Sequence, residues 1–242
     1  MPALYDRIGE GYAALRRADP RIAAHLVAAL GPPAPLLNLG AGTGNYEPGD
    51  RSVVAVEPSL QMIRQRPAGA APALQAVAQA LPFADRAFEA GLAVLTVHHW
   101  PDPLAGLREL RRVVRGRIVI LTFDPAARPW LTDYLPGLAA LDEAQMPALQ
   151  VYAQALGPVT VTPLDIPHDC SDGFLYAYWR RPEAYLDPRL RSGSSAFRAL
   201  GDAEPGLARL RKDLGDGGWD SRYGDLRRRD AYDAGYRLIV AS

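Results

Sequence analysis

Apolar residues recur at helical spacing along the first part of the chain. Leu4, Ile8, Tyr12 and Leu15 share one face of a segment that runs from Tyr5. After the Asp19-Pro20 step, a helix start, Ile22, Leu26, Ala29 and Leu30 form a second stripe ending at Leu30. Pro32, Pro33 and Pro35 then stop the helix, since proline lacks the amide that a helix interior needs. Beyond them the period changes. Short, continuous apolar runs at Leu36–Leu39 and Ser52–Glu57 predict buried strands, and Pro58 predicts a helix start running to about Arg66. Ala73–Val77 is a weak third strand and Phe88–Val97 a stronger fourth. A helix over Asp102–Val114 follows, with Leu104, Leu107, Leu110 and Val114 on one face, then a fifth strand over Arg117–Phe123. Strands that alternate with helices and are apolar on both faces predict a parallel sheet covered on both sides.

After Asp124 the regularity is lost. Leu131–Leu156 reads as helix interrupted by Pro136 and Pro147, Val159–Ile166 as a sixth strand, and Tyr236–Ala241 as a seventh. Between them, residues 167–234 carry aromatics, arginine, glycine and aspartate without a clear strand. A stretch of that length inside one sheet predicts a lid or pocket wall. The organisation expected is one domain over 1–242. It has a core at 1–124, insertions at 125–157 and 167–234 that cover a substrate site, and the last strand at 235–242.

Composition narrows the partners. Of 242 residues, 48% are hydrophobic and the formal net charge is +0, so no basic footprint suggests nucleic acid or an anionic membrane. Cys170 is the only cysteine, which precludes an intrachain disulfide, and the first residues carry no secretory apolar core; a cytoplasmic protein is expected. Lys212 is the sole lysine among 27 basic residues, an arginine bias of the kind a GC-rich bacterial genome produces.

The first chemical signal is Asn38-Leu39-Gly40-Ala41-Gly42-Thr43-Gly44, directly after the first strand. Glycines there allow a tight turn and let a ligand approach the backbone. A nicotinamide-dinucleotide fingerprint needs a third glycine where this chain has Asn45, which counts against a nicotinamide-dependent oxidoreductase. Glu57 closes the second strand, placed to accept a ribose diol. The glycine spacing resembles motif I of class I S-adenosylmethionine-dependent methyltransferases. Gln79-Ala80-Leu81-Pro82-Phe83-Ala84-Asp85 resembles their adenine-covering segment, and Val97-His98-His99-Trp100-Pro101-Asp102-Pro103 their motif after the fourth strand. The likeness runs from about Tyr5 to Asp124 and points to the small-molecule branch related to quinone-biosynthesis methyltransferases, often labelled type 11.

That resemblance implies a Rossmann-like α/β fold with a seven-stranded, mostly parallel sheet whose last strand is antiparallel. It implies S-adenosylmethionine as cofactor and methyl transfer to an O, N or C atom of a small, partly apolar or aromatic molecule. The implied cofactor contacts are Tyr5, Tyr12, Arg16, Asn38, Gly40, Ala41, Gly42, Gly44, Glu57, Pro58, Met62, Ala78, Gln79, Ala80 and Thr96. Three departures stand out: Asn38 where an aspartate is frequent, Val77 where an aspartate often reads the adenine, and too few residues between Gly44 and Val53 for the usual helix.

Methyl transfer is a displacement in which alignment matters most, and a base helps only if the nucleophile starts protonated. His168, beside Asp169 and Cys170, is a candidate base or a turn residue; His98 and His99 either orient the acceptor or take its proton, or shape the turn around the cofactor; Asp124 either faces the substrate or is a solvated loop residue. The His98-His99 pair has no acidic or cysteine partners at metal-ligand spacing, so no metal is expected. Trp130, Tyr134, Phe174, Tyr176, Tyr178, Trp179 and Tyr185 either line an acceptor pocket or form the core beneath the insertions. Arg227-Arg228-Arg229 reads as a solvated face. A protein that binds the cofactor without catalysis remains the alternative from another class.

Overall fold

The computed structural model describes residues 15–242. Helix α1 (Pro20–Leu30) starts where the sequence puts it. The buried Asp19 carboxylate accepts the Arg21 amide at 3.0 Å, and Pro20 occupies the first turn. The strands β1 (Leu36–Leu39) and β2 (Val53–Val56) pair in parallel; the chain between them turns without a helix, as its length predicts. Helix α2 (Leu60–Arg64) is shorter than expected: Ser59, not Pro58, caps it, through a 3.2 Å bond from the Met62 amide. The third strand, β3, is only Ala73–Leu74; residues 75–77 leave the sheet to wall the cleft described below.

Strand β4 (Phe88–Val94) ends before the expected Val97 because Leu95 takes a left-handed φ of 50° and turns the chain out of the sheet. Helix α3 (Pro103–Val113) is capped by Asp102 through a 2.9 Å bond from the Ala105 amide, and β5 (Val114–Phe123) follows at once. The first insertion folds as α4 (Leu131–Tyr134), α5 (Pro136–Gln145) and α6 (Leu149–Leu156), broken at the prolines. Next come β6 (Val159–Pro163) and β7 (Ile166–Pro167). The second insertion contains α7 (Pro188–Arg191), α8 (Ser195–Ala199), α9 (Glu204–Asp216) and α10 (Gly218–Tyr223), and the chain closes through β8 (Ala231–Tyr232) and β9 (Tyr236–Ala241). Strand β6 stops at Pro163, short of the expected Ile166, which pairs instead with Tyr232 in the two-residue β7–β8 ladder; no strand was expected at Ala231–Tyr232.

The main sheet has the order β3-β2-β1-β4-β5-β9-β6. The first five strands are parallel and β9 runs antiparallel between β5 and β6. Connections leave β1 toward β2 on one side and reach β4 on the other, so a crevice opens beyond the carboxyl ends of β1 and β4. One sheet face packs on Ile22, Leu26 and Leu30 of α1 and on the aromatic insertions. The other packs on Leu107, Leu110 and Val113 of α3 and Tyr152 and Leu156 of α6. No helix among the described residues is long and apolar enough to cross a membrane.

Candidate active site

The crevice holds a cleft of about 730 Å³, within the range of small-molecule sites. Its floor is the turn after β1, where Gly40 and Gly42 take φ of 71° and 52°, a conformation that disfavours side chains. Gly40 is also sterically obligatory: a Cβ there would sit 2.0 Å from Thr96 Oγ1, across the β1/β4 seam. Glu57, buried at the end of β2, accepts the Gly42 amide (Oε2) and the Ser59 amide (Oε1), both at 2.9 Å. Those bonds fix the carboxylate at the rim of the cleft.

Pro58, Met62, Ala78, Gln79, Ala80 and Thr96 also line the cleft. Gln79 is tied to the Asp102 carbonyl at 3.3 Å, and Trp100 forms a wall packed against Gly106. Asn38 lines the cleft while donating to Glu47 at 3.2 Å; Glu47 in turn pairs with the buried Arg66 at 2.7 Å. An aspartate at 38 would set a second carboxylate against Glu47, so the amide suits this chain's own ion pair. Gly44 is not on the cleft wall. A Cβ there would press on Arg66 and Glu47 at 3.2 Å, so this glycine makes room for the ion pair under the loop.

Beside the cleft lies a second, smaller cavity of about 60 Å³ that shares Arg16, Leu95 and His99 with it. Phe123 and Tyr176 stack in its wall with ring centroids 5.0 Å apart, and Phe174 meets Tyr236 edge-on. Both imidazoles at the junction are held uncharged. Burial, together with His99 and Arg16, pulls His98 well down, and burial with Arg16 lowers His99 to about 4. Asp142 of α5 receives the Tyr176 hydroxyl at 2.6 Å, and burial pushes its carboxyl up to about 6.

The comparisons with known proteins agree with this geometry. A profile of the methyltransferase domain family matches residues 37–120. A crystallised protein of Anabaena variabilis ATCC 29413, ascribed to methyl transfer in an antibiotic biosynthesis pathway, is 34% identical. The match covers 94% of this chain and 99% of that one, with a TM-score of 0.86. The chain belongs to the S-adenosylmethionine-dependent methyltransferases. Geranyl diphosphate C-methyltransferase from Streptomyces coelicolor A3(2), crystallised with S-adenosyl-L-homocysteine, shares the fold at 16% identity and TM-score 0.51, over 91% of this chain and 77% of that one. The uncharacterized YafE of Escherichia coli K12 is 35% identical over 69 residues, 28% of this methyltransferase; the match spans a third (33%) of that curated relative's length.

The methyltransferase site fits its cofactor on this chain's own residues: a glycine turn bare of side chains, a fixed carboxylate at the β2 end, and a cleft of matching size. Of the expected contacts, Arg16 lies at the cleft but its guanidinium forks onto the buried Asp172, at 2.5 and 3.3 Å. Tyr5 and Tyr12 lie outside the described residues. Among the candidate bases, His98 and His99 reach the small cavity, whereas His168 and Asp124 line neither space. His168 sits in the turn just past the β7–β8 ladder, its amide bonded to the Asp230 carbonyl. Asp169 pairs with Arg21, and Asp124 caps its own turn and faces Arg237.

The aromatics divide. Phe174 and Tyr176 line the small cavity, while Trp130, Tyr134, Trp179 and Tyr185 are buried core. Sequence reasoning missed Asn45 and Tyr46, which anchor the loop to the Arg16 carbonyl and to Asp172, and Leu95, whose positive φ opens the junction. The polar Asn-Tyr step after the glycines was the only signal for the first two. Among the described residues no three side chains converge as a metal site.

Glu57→Ala is expected to weaken S-adenosylhomocysteine binding at least tenfold by calorimetry, since it removes the expected diol acceptor and frees the Gly42 and Ser59 amides. An unchanged affinity would displace the ribose from this carboxylate.

Proposed function

We propose that the protein transfers the methyl of S-adenosylmethionine to an O, N or C atom of a small, partly aromatic molecule in bacterial secondary metabolism, in the cytoplasm. The observation that carries this reading is the pair of adjoining spaces: a large cleft built for the cofactor, and a small aromatic cavity sharing Leu95 and His99 with it. The 34% identical Anabaena protein's antibiotic-pathway context supports the metabolic setting. The cofactor supplies an electrophilic methyl on a sulfonium. Glu57, the Gly40–Gly42 backbone and Met62 would hold it, and the residues at the junction align the acceptor for in-line attack. The two insertions, residues 125–157 and 167–234, act as the substrate cover in this reading, because Asp142 comes from one and Tyr176 from the other.

The test is calorimetric titration with S-adenosylhomocysteine and, as control, NADH. Saturable binding of the former alone is the expected result. Binding of NADH alone would overturn the cofactor assignment, and binding of neither would favour a scaffold without catalysis.

A further inference from the structure

The small cavity contains a titratable group that its aromatic walls do not require. Asp142 is 2% exposed, lines the cavity, and spends only Oδ2 on the Tyr176 hydroxyl. No group among the described residues donates to Oδ1. Because Asp142 lines the cavity, a donor carried by a ligand there can reach the oxygen that Tyr176 does not use.

We infer that Asp142 Oδ1 receives the hydroxyl proton of a neutral, weakly acidic acceptor, a phenol or enol, whose reacting oxygen enters this cavity. The inference rests on the methyl-transfer reading of the adjoining cleft. In the step, an oxygen lone pair forms the O–CH3 bond, the methyl–sulfur bond breaks with its electrons going to sulfur, and the proton passes to Asp142. Solvent recovers that proton after product release.

The charges around Asp142 select a neutral acceptor. Tyr176, Tyr236, His98, His99 and Arg16 share its cavity, and Arg128 adds positive charge from the loop before α4. Burial first, and the Arg16 charge after it, keep both imidazoles uncharged even though this carboxylate shares their cavity. A protonated amine would meet the same opposition. A hydroxyl enters without charge and leaves its proton on a carboxyl already raised to about 6, close to the working pH that suits a general base. Tyr176 and Phe123 provide a stacked wall for the ring, and the 60 Å³ volume admits the reacting edge while the rest extends toward the cleft.

The experiment uses 4-nitrophenol, coloured only when ionised and half-ionised near neutrality, added at pH 7 to protein saturated with S-adenosylhomocysteine. Saturable binding that suppresses the colour is expected, weakened at least tenfold by Asp142→Asn, while benzylamine fails to compete. The substitution should leave S-adenosylhomocysteine affinity within twofold, since Asp142 lies off the cleft wall. Deepened colour that persists in Asp142→Asn would mean a phenolate held by Arg16. That result, the absence of nitrophenol binding, equal binding to D142N, or competition by benzylamine would each overturn the proposal. Failure of S-adenosylhomocysteine to bind, read before the phenol is added, would instead overturn the cofactor reading and this inference with it.

Discussion

Gly40→Ala is expected to lower the melting temperature by roughly 4–16 °C and to weaken S-adenosylhomocysteine binding at least tenfold. A Cβ at 40 would lie 2.0 Å from Thr96 Oγ1 and 2.7 Å from its Cβ. Thr96 is short and β-branched, so it has no flexible tip to withdraw, and the clash must move backbone. Overpacking costs about 1–3 kcal/mol. A non-glycine residue at φ 71° adds about 1–2 kcal/mol. Together these give about 2–4 kcal/mol after allowance for relaxation, and a chain of this length loses about 2–4 °C per kcal/mol. Because the same backbone floors the cleft, relaxation there moves the ligand surface. Thermal unfolding and calorimetry of Gly40→Ala, alone and with Thr96→Gly, separate the parts. The double variant should recover the steric share and leave the φ penalty. Full stability in Gly40→Ala would show that the seam between β1 and β4 is looser than this geometry.

The parts of the site written in local backbone requirements were the parts legible in the sequence. A strand that ends in closely spaced glycines announces a turn that tolerates no side chains, and an acid closing the next strand falls beside it whatever follows; Gly40, Gly42 and Glu57 all stand where their spacing puts them. Gly44 shows the limit of that logic. Its place in the pattern is right, yet the atoms crowding it belong to Glu47 and Arg66 rather than to the cleft. Asn38 is similar, since its amide answers to Glu47, a partner that only the folded loop brings near. The acceptor side was not legible because its contacts join distant segments. Asp142 meets Tyr176 across 34 positions and Arg16 meets Asp172 across 156, with no local pattern to mark either pair. His168 failed for the opposite reason: a plausible residue after a strand depends on which way the chain turns next, and here it turns into the β7–β8 ladder.

The second large effect concerns the cluster that joins the start of the described chain, the glycine loop and the second insertion. Asp172, 0% exposed, accepts Arg16 at 2.5 Å and the Tyr46 hydroxyl at 2.9 Å. Asn45 donates to the Arg16 carbonyl at 2.7 Å, so the loop is bound to the same segment twice. Burial and the Asp172 carboxylate push the Tyr46 hydroxyl well above its ordinary range, so it remains a donor at any working pH. Asp172→Ala removes the forked acceptor from a guanidinium only 11% exposed and strands the Tyr46 proton, the kind of loss that costs about 3–5 kcal/mol. Arg16→Met/Asp172→Ala, which removes both charges and keeps the packing volume of the arginine stem, should be no less stable than Asp172→Ala alone. Denaturant unfolding of the two singles and the double measures the coupling directly. Additive losses would mean that the charges act independently and that the insertion is held to the core chiefly by its aromatic packing. A strongly sub-additive result would make this carboxylate the link through which the substrate cover is fastened to the cofactor loop.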